Sequence, residues 1–232
     1  DLEYPTPAGG SFFLPAAGTP PSSRDEALDD LYEALALGLR DYFSKSAAFS
    51  RLGVALSGGR DSLLSLLVTW RATQLVTGTE PGSCGPGSGV DLISAFYMPS
   101  RFSGTDTRAA AKTICQELGI TLTESPIDKA FDREVAATID MLGEEPTPLT
   151  VQNIQARIRG QRMWNWANSS SALFVQTSDM SEKAVGYTTI GGDLEGALSV
   201  IANVPKTVVI ALLERLAARF SLKGIELCLN TA

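Results

Sequence analysis

Apolar positions along the chain alternate between helical and extended spacing. From Arg24 onward, Leu28, Leu31, Leu35, Leu39 and Tyr42 recur every three or four residues, which predicts one buried face of a helix. Ser22 and Ser23 can cap it, and Asp25 and Glu26 suit the positive end of its dipole. Leu52–Leu56 is a short apolar run and predicts a strand, followed by a helix from about Asp61 to Leu75. Residues 77–89 are rich in Gly and Pro and predict a loop. Val90–Met98 then predicts a second strand. Thr105–Leu118 predicts a helix stopped by Gly119, and Ile120–Ile127 a third strand. Helices follow over roughly Lys129–Leu142 and Thr150–Ala167, then a strand over Ser171–Thr177. A last helix over Pro205–Arg219 opens with proline in a favoured first-turn position.

Strands that alternate with helices imply an α/β, Rossmann-like fold, a parallel sheet flanked by helices on both faces. In such sheets ligands bind at the carboxyl ends of the strands. Residues 1–24 carry Pro5, Pro7, Pro15, Pro20 and Pro21 with Gly9, Gly10 and Gly18, and predict an extended arm or linker before a domain over 25–232.

Composition narrows the chemistry more than the fold. The 232 residues are 44% hydrophobic and 19% charged, enough for one α/β domain with a sizeable core. No apolar run reaches the ~20 residues of a membrane span, and no signal peptide is visible, so a cytoplasmic protein without a membrane partner is expected. The net charge of −7 lacks the basic footprint of nucleic-acid binding. Cys84, Cys115 and Cys228 are odd in number and without metal-ligand spacing, which predicts free thiols in a reducing compartment. Histidine is absent, which excludes Ser-His-Asp and Cys-His catalysis and every His-based metal site. The chain runs from Asp1 to Ala232 and is expected to be a module of a longer protein.

Directly after the first strand come Ser57, Gly58, Gly59, Arg60, Asp61 and Ser62. The two glycines allow a tight turn that brings backbone N–H groups against a ligand, and the following helix start adds a positive dipole end. The hydroxyls of Ser57 and Ser62 can donate to phosphate oxygens. There is neither a Walker A sequence with its lysine nor a GxGxxG. Asp61 would repel phosphate unless a bound Mg²⁺ bridges the two.

These six residues resemble the SGGxDS signature of the PP-loop ATP pyrophosphatases, which cleave ATP between the α and β phosphates and transfer AMP. Further blocks resemble the NAD synthetase family within that class: MPSRFSG at 98–104, NIQARIRG at 153–160, SEKAVGY at 181–187, GGD at 191–193 and NVPKT at 203–207. The resemblance spans roughly residues 25–231. It implies that Ser57, Gly58, Gly59, Asp61, Ser62, Thr177, Lys206 and Thr231 bind ATP. It implies that Asp61 and Glu182 hold Mg²⁺, that Arg157 and Asp193 contact deamido-NAD, and that Asp61 and Lys206 are catalytic. Lys206 is poorly placed for a helix dipole at a helix start, which fits a side chain aimed at an anion. Arg157 and Arg159 are two apart and cannot share a helical face, so one can face substrate while the other does not. Tyr187, Phe102 and Trp164 are candidates for stacking on a nucleotide ring or for core packing.

The sequence departs from the family pattern at Gln152, at Ala202 and Asn203, and at Ile190, where some ammonia-dependent relatives carry lysine and glutamine-dependent ones are often apolar. The implied reaction joins ATP, deamido-NAD and ammonia to give NAD, AMP and pyrophosphate. ALALGLRDYFSKS at 34–46 is similar to the start of the synthetase domain in glutamine-dependent enzymes, where a glutaminase domain precedes it. A glutaminase domain on this or another chain, or free ammonia, then supplies nitrogen, and a homodimer or larger assembly is expected. Two alternatives stay open: another PP-loop amidating ligase, such as one resembling GMP synthetase, and a nucleotide-binding module without turnover.

Overall fold

The computed structural model describes residues 23–230, so most of the expected arm and Thr231 lie outside the described residues. The elements run α1 (Arg24–Ser46), β1 (Arg51–Leu56), α2 (Arg60–Thr77), β2 (Ile93–Tyr97), α3 (Thr105–Leu118), β3 (Leu122–Glu124), α4 (Asp128–Leu142), α5 (Pro148–Ser170), β4 (Ala172–Gln176), α6 (Met180–Val185), β5 (Leu198–Ser199), α7 (Lys206–Phe220) and α8 (Lys223–Asn230). The strands form one sheet in the order β3-β2-β1-β4-β5, and every pairing is parallel. The α/β expectation holds. The chain moves outward on one side from β1 through β2 to β3, and then returns to the other side at β4. The β1/β4 boundary is therefore the topological switch point, where a crevice opens at the strand ends.

Alternation along the strands sorts side chains between two cores. Leu52, Val54 and Leu56 of β1, with Leu173 and Val175 of β4, join a large cluster with α1, α2, α3, α7 and α8. Gly53 and Ala55 of β1, with Ala172 and Phe174 of β4, face α4 and α5. Gly53 is needed there because a Cβ would collide with the ring of Trp166. Helix α2 is enclosed by α1, α7 and the sheet, so its residues 62–74 are all buried. Tyr32 of α1 is fully buried and donates its hydroxyl to the Leu67 carbonyl at 2.8 Å.

Several boundaries differ from the sequence reading. The buried line of α1 is Tyr32, Ala36, Leu39 and Phe43. Leu28, Leu31 and Leu35 flank it, and Tyr42 is exposed, because the true contact stripe is rotated about one residue from the leucine repeat. Val90–Leu92 forms a 3₁₀ turn rather than the start of β2. Strand β3 keeps only three residues, since Ile120 N–H is spent closing α3 on Cys115 and Pro126 lacks a donor. Elements α6, β5 and α8 were not anticipated.

Helix α7 is tied to α1 by ions. Arg215 holds Asp29 at 2.6 Å and Arg219 reaches it at 3.3 Å. The hydrogen bond from Arg215 lowers the Asp29 pKa, against a smaller opposing effect of burial, with the Arg219 charge adding to the lowering. A pKa lowered by folding contributes stability above the ordinary value of 3.8, and that stability fades as pH falls through the native value. Asp29→Asn is expected to cost ~1 kcal/mol at pH 7, lowering the thermal midpoint by a few degrees. The gap should close as pH drops well below 3.8 in scans across that range. A gap independent of pH would show that the pair is not what Asp29 contributes.

Candidate active site

The turn from β1 into α2 is built by its own side chains. Gly58 adopts φ +83°, a left-handed conformation, and a Cβ there would collide with the Thr107 carbonyl. Ser62 Oγ accepts from Ser57 N–H at 3.2 Å, donates to the Gly59 carbonyl at 3.0 Å, and pairs with Ser57 Oγ at 3.0 Å. Gly59 N–H donates to Ser57 Oγ at 3.1 Å. Ser62 is buried, so its hydroxyl braces the turn from inside, while Ser57 stands at the exposed rim. No side chain caps α2, which leaves its first-turn N–H groups aimed out of the turn at the positive end of the dipole. From behind, α8 supports the turn: Arg60 donates to the Leu229 carbonyl at 3.2 Å and Cys228 Sγ to the Gly58 carbonyl at 3.5 Å. Burial pushes the Cys228 thiol up to about 11, so it stays protonated at neutral pH.

Across from this turn, β4 ends and α6 begins with Asp179 as its N-cap, whose Oδ1 accepts from Glu182 N–H at 2.8 Å. Met180 N–H bonds the Val204 carbonyl and Lys206 N–H bonds Ser181 Oγ, which locks the start of α7 to α6. The result sets Lys206 Nζ among three carboxylates: Asp61 Oδ2 at 2.5 Å, Asp179 Oδ2 at 3.1 Å and Glu182 Oε1 at 3.2 Å. Asp179 is fully buried. Its Oδ2 lies within ion-pair range of the ammonium yet forms no well-directed hydrogen bond, and Asp61 Oδ1 has none either. Burial would lower the Lys206 pKa, but the hydrogen bond to Asp61 and the close carboxylates of Asp179 and Glu182 raise it overall. Burial, followed by the Asp61 charge, raises the pKa of Glu182 against the pull of Lys206. The structure thus joins the predicted residues Asp61, Glu182 and Lys206, and adds Asp179. The pattern Asp179-x-x-Glu182 is a helix N-terminus signature that could have located Asp179.

Beside this cluster a cavity of about 320 Å³ opens at the ends of β1, β2 and β4. Its walls are mainly apolar, from Leu56, Tyr97, Met98, Met163 and Phe174. Ser57, Thr177 and Asp193 of the predicted set line it as well, so the phosphate turn and the cavity are continuous. Asp193 accepts from Thr189 N–H at 2.6 Å, and Ser178 Oγ donates to its carbonyl at 3.0 Å, fixing the 189–195 loop over β4.

The two arginines of the ARIRG block separate as their spacing requires. Arg159 lines the cavity, donates Nε to the Met98 carbonyl at 2.9 Å and, among the described residues, forms no ion pair. Burial lowers its pKa. Arg157 is exposed outside the cavity and donates to the Ile190 carbonyl at 3.1 Å. Of the aromatic candidates, Tyr187 and Phe102 are exposed and Trp164 donates to Glu195 at 2.8 Å; none lines the cavity. Tyr97 does, and its place as the last residue of a strand was the available signal.

Gly160 lines the cavity where α5 meets the 191–192 loop. A Cβ there would lie 2.9 Å from both the Gly191 and Gly192 carbonyls. Gly160→Ala is expected to cost about 1–3 kcal/mol, read by chemical denaturation. No loss would mean that the 191–192 loop yields freely.

Comparison with known proteins adds a family to this geometry. The family profile described as NAD synthase matches residues 31–222. A glutamine-dependent NAD(+) synthetase of Synechocystis is 33% identical over 184 residues, covering 79% of this chain and 30% of that protein. Its counterpart from Aquifex aeolicus is 34% identical over 187 residues, covering 77% of this chain and 29% of that protein. The chain therefore spans about three-tenths of the length of these relatives. Among solved structures, the glutamine-dependent NAD+ synthetase of Acinetobacter baumannii in complex with ADP superposes with a TM-score of 0.80 at 25% identity. That match covers 94% of this chain and 38% of the other.

Proposed function

We propose, for a chain that belongs to the NAD synthase family, the ATP-dependent amidation of deamido-NAD to NAD. The observation that carries this reading is the junction of the uncapped α2 turn with Lys206 and its carboxylates, opening into a cavity of base-and-ribose size. In the proposed reaction the Ser57–Ser62 turn, Thr177 and Lys206 hold ATP, its adenosine against the apolar cavity walls and its phosphates at the turn. Thr231 belongs to the same proposal by resemblance. Arg157 and Asp193 are the proposed contacts to deamido-NAD.

Mg²⁺ fits the chemistry of the donors, since Asp61 Oδ1 and Asp179 Oδ2 are buried hard oxygens without hydrogen bonds. Asp61 and Glu182 would hold it, and when bound it would neutralise charge building on pyrophosphate. The nicotinate carboxylate oxygen attacks the α-phosphorus, and the bond to the bridging oxygen of pyrophosphate breaks. Lys206 and the α2 N–H groups stabilise the leaving charge. Ammonia then attacks the carboxyl carbon of the mixed anhydride, loses a proton and expels AMP. Positioning carries this chemistry, in keeping with a chain that has no histidine and a protonated, buried Cys228.

Relatives named as glutamine-dependent point to nitrogen delivered from glutamine, by a glutaminase domain on the same or another chain. A homodimer belongs to the proposal as well, supported by the exposed Val185, Tyr187 and Ile190 beside the site. Among the described residues no helix is long and apolar enough to cross a membrane, and Cys84 and Cys115 are free thiols. A cytoplasmic setting belongs to the same proposal.

The test supplies deamido-NAD, Mg-ATP and ammonium and follows NAD and pyrophosphate together. Equal formation of both is expected. Folded protein that makes neither would sink the reading, and replacing ammonium by glutamine identifies the nitrogen source.

A further inference from the structure

An ammonium ion and a hexacoordinate divalent ion make incompatible demands on the same carboxylates. Lys206 Nζ stands 2.5, 3.1 and 3.2 Å from oxygens of Asp61, Asp179 and Glu182. Magnesium holds its oxygens at about 2.0–2.1 Å, so these oxygens would have to close in by roughly 0.5–1 Å, onto space the ammonium fills. In agreement, no three acidic side chains among the described residues stand in a ready-made metal arrangement. Yet Asp61 Oδ1 and Asp179 Oδ2 are buried without a hydrogen bond, and the Asp179 side chain is 0% exposed. Such oxygens are costly to bury unless a cation satisfies them.

We infer that Asp61, Asp179 and Glu182 form one cation site with two alternative occupants, the Lys206 ammonium and a divalent ion. A polyphosphate exchanges the first for the second by drawing Lys206 out. This inference rests on the ATP reading of the site. Three carboxylates against one ammonium leave a formal charge of −2, enough to attract a divalent ion but not to admit it beside a fixed positive charge within about 4 Å. Phosphate oxygens arriving at the α2 turn give Lys206 a second anionic partner. Its stem is long, and its side chain is 34% exposed at the rim, so it can turn without unpacking α7. Asp179 cannot follow, because its Oδ1 caps α6, and so it remains as the fixed wall of the site. The site would therefore stay closed to metal until nucleotide arrives, which ties metal entry to substrate.

The test is a titration of the protein without nucleotide by Mn²⁺, reading the free ion by electron paramagnetic resonance. Wild-type protein is expected to bind weakly, with Kd in the millimolar range. Lys206→Met and the more isosteric Lys206→Gln should bind at least tenfold more tightly, and Mg²⁺ should raise their thermal midpoints but not that of wild type. Adding Asp179→Asn to Lys206→Gln should remove that gain. Equal Mn²⁺ affinity in wild type and the Lys206 variants would overturn the exchange, and an unchanged affinity in the double variant would overturn the role of Asp179. Should neither Lys206 variant fold, micromolar binding by wild type alone overturns the inference. Failure of the ATP reading would show separately, as absent NAD formation with Mn²⁺ binding unaffected.

Discussion

Asp61→Asn is expected to lower the rate of pyrophosphate formation by about 10²–10³-fold, the scale of losing one charge aligned with a developing transition state. The substitution is nearly isosteric and keeps a side-chain oxygen near Lys206, so shape and packing are retained. It also removes the Asp61 charge, which after burial is the second cause of the raised Glu182 pKa. Lys206 keeps Asp179 and Glu182 as partners. The thermal midpoint should accordingly hold or rise while activity falls. Parallel loss of both would make Asp61 a folding residue, and normal turnover would remove it from the reaction.

Gly58→Ala should damage the fold and the site together. At φ +83° a side chain costs about 1–2 kcal/mol, and the collision with the Thr107 carbonyl adds to it because that atom belongs to the backbone of α3. A total of about 3–4 kcal/mol is expected by chemical denaturation, with ATP turnover lost as the turn deforms. Gly59→Ala is the control. Gly59 has φ −88°, and its added Cβ would meet only Ser57 Oγ at 3.1 Å, a side chain able to rotate. That variant should cost much less stability and act mainly on the KM for ATP. Equal destabilisation by the two substitutions would contradict the strained-turn description.

The part of the fold written in long periodic segments was readable from the sequence. Helices α2, α3, α4, α5 and α7, and strands β1, β2 and β4, follow from apolar spacing and glycine stops. Elements too short to show a period were not: α6 has six residues and β5 has two. The leucines of α1 mark the packed side of the helix, with Leu39 buried and Leu28, Leu31 and Leu35 against the core, but they leave out its centre at Tyr32, Ala36 and Phe43, and Tyr42 is exposed.

In the site, the turn at 57–62 was legible because glycines, hydroxyls and Asp61 lie together in sequence. Its meeting with Lys206 was not, since 145 residues separate Lys206 from Asp61 and only the parallel sheet brings α2 and α7 together. Asp179 does not stand out in the sequence, because a capping aspartate at a helix start is ordinary and only the fold sets its second oxygen on Lys206. Arg159 rather than Arg157 lines the cavity, a choice made by the helical phase that the close approach of Gly160 to the 191–192 loop imposes.

The most direct measurement of the central claim uses deamido-NAD labelled with ¹⁸O in its nicotinate carboxylate, turned over with Mg-ATP and ammonium. If that carboxylate attacks the α-phosphorus, one labelled oxygen per turnover appears in the phosphate of AMP and none in pyrophosphate. Unlabelled AMP, or ADP as the product in its place, would contradict the account.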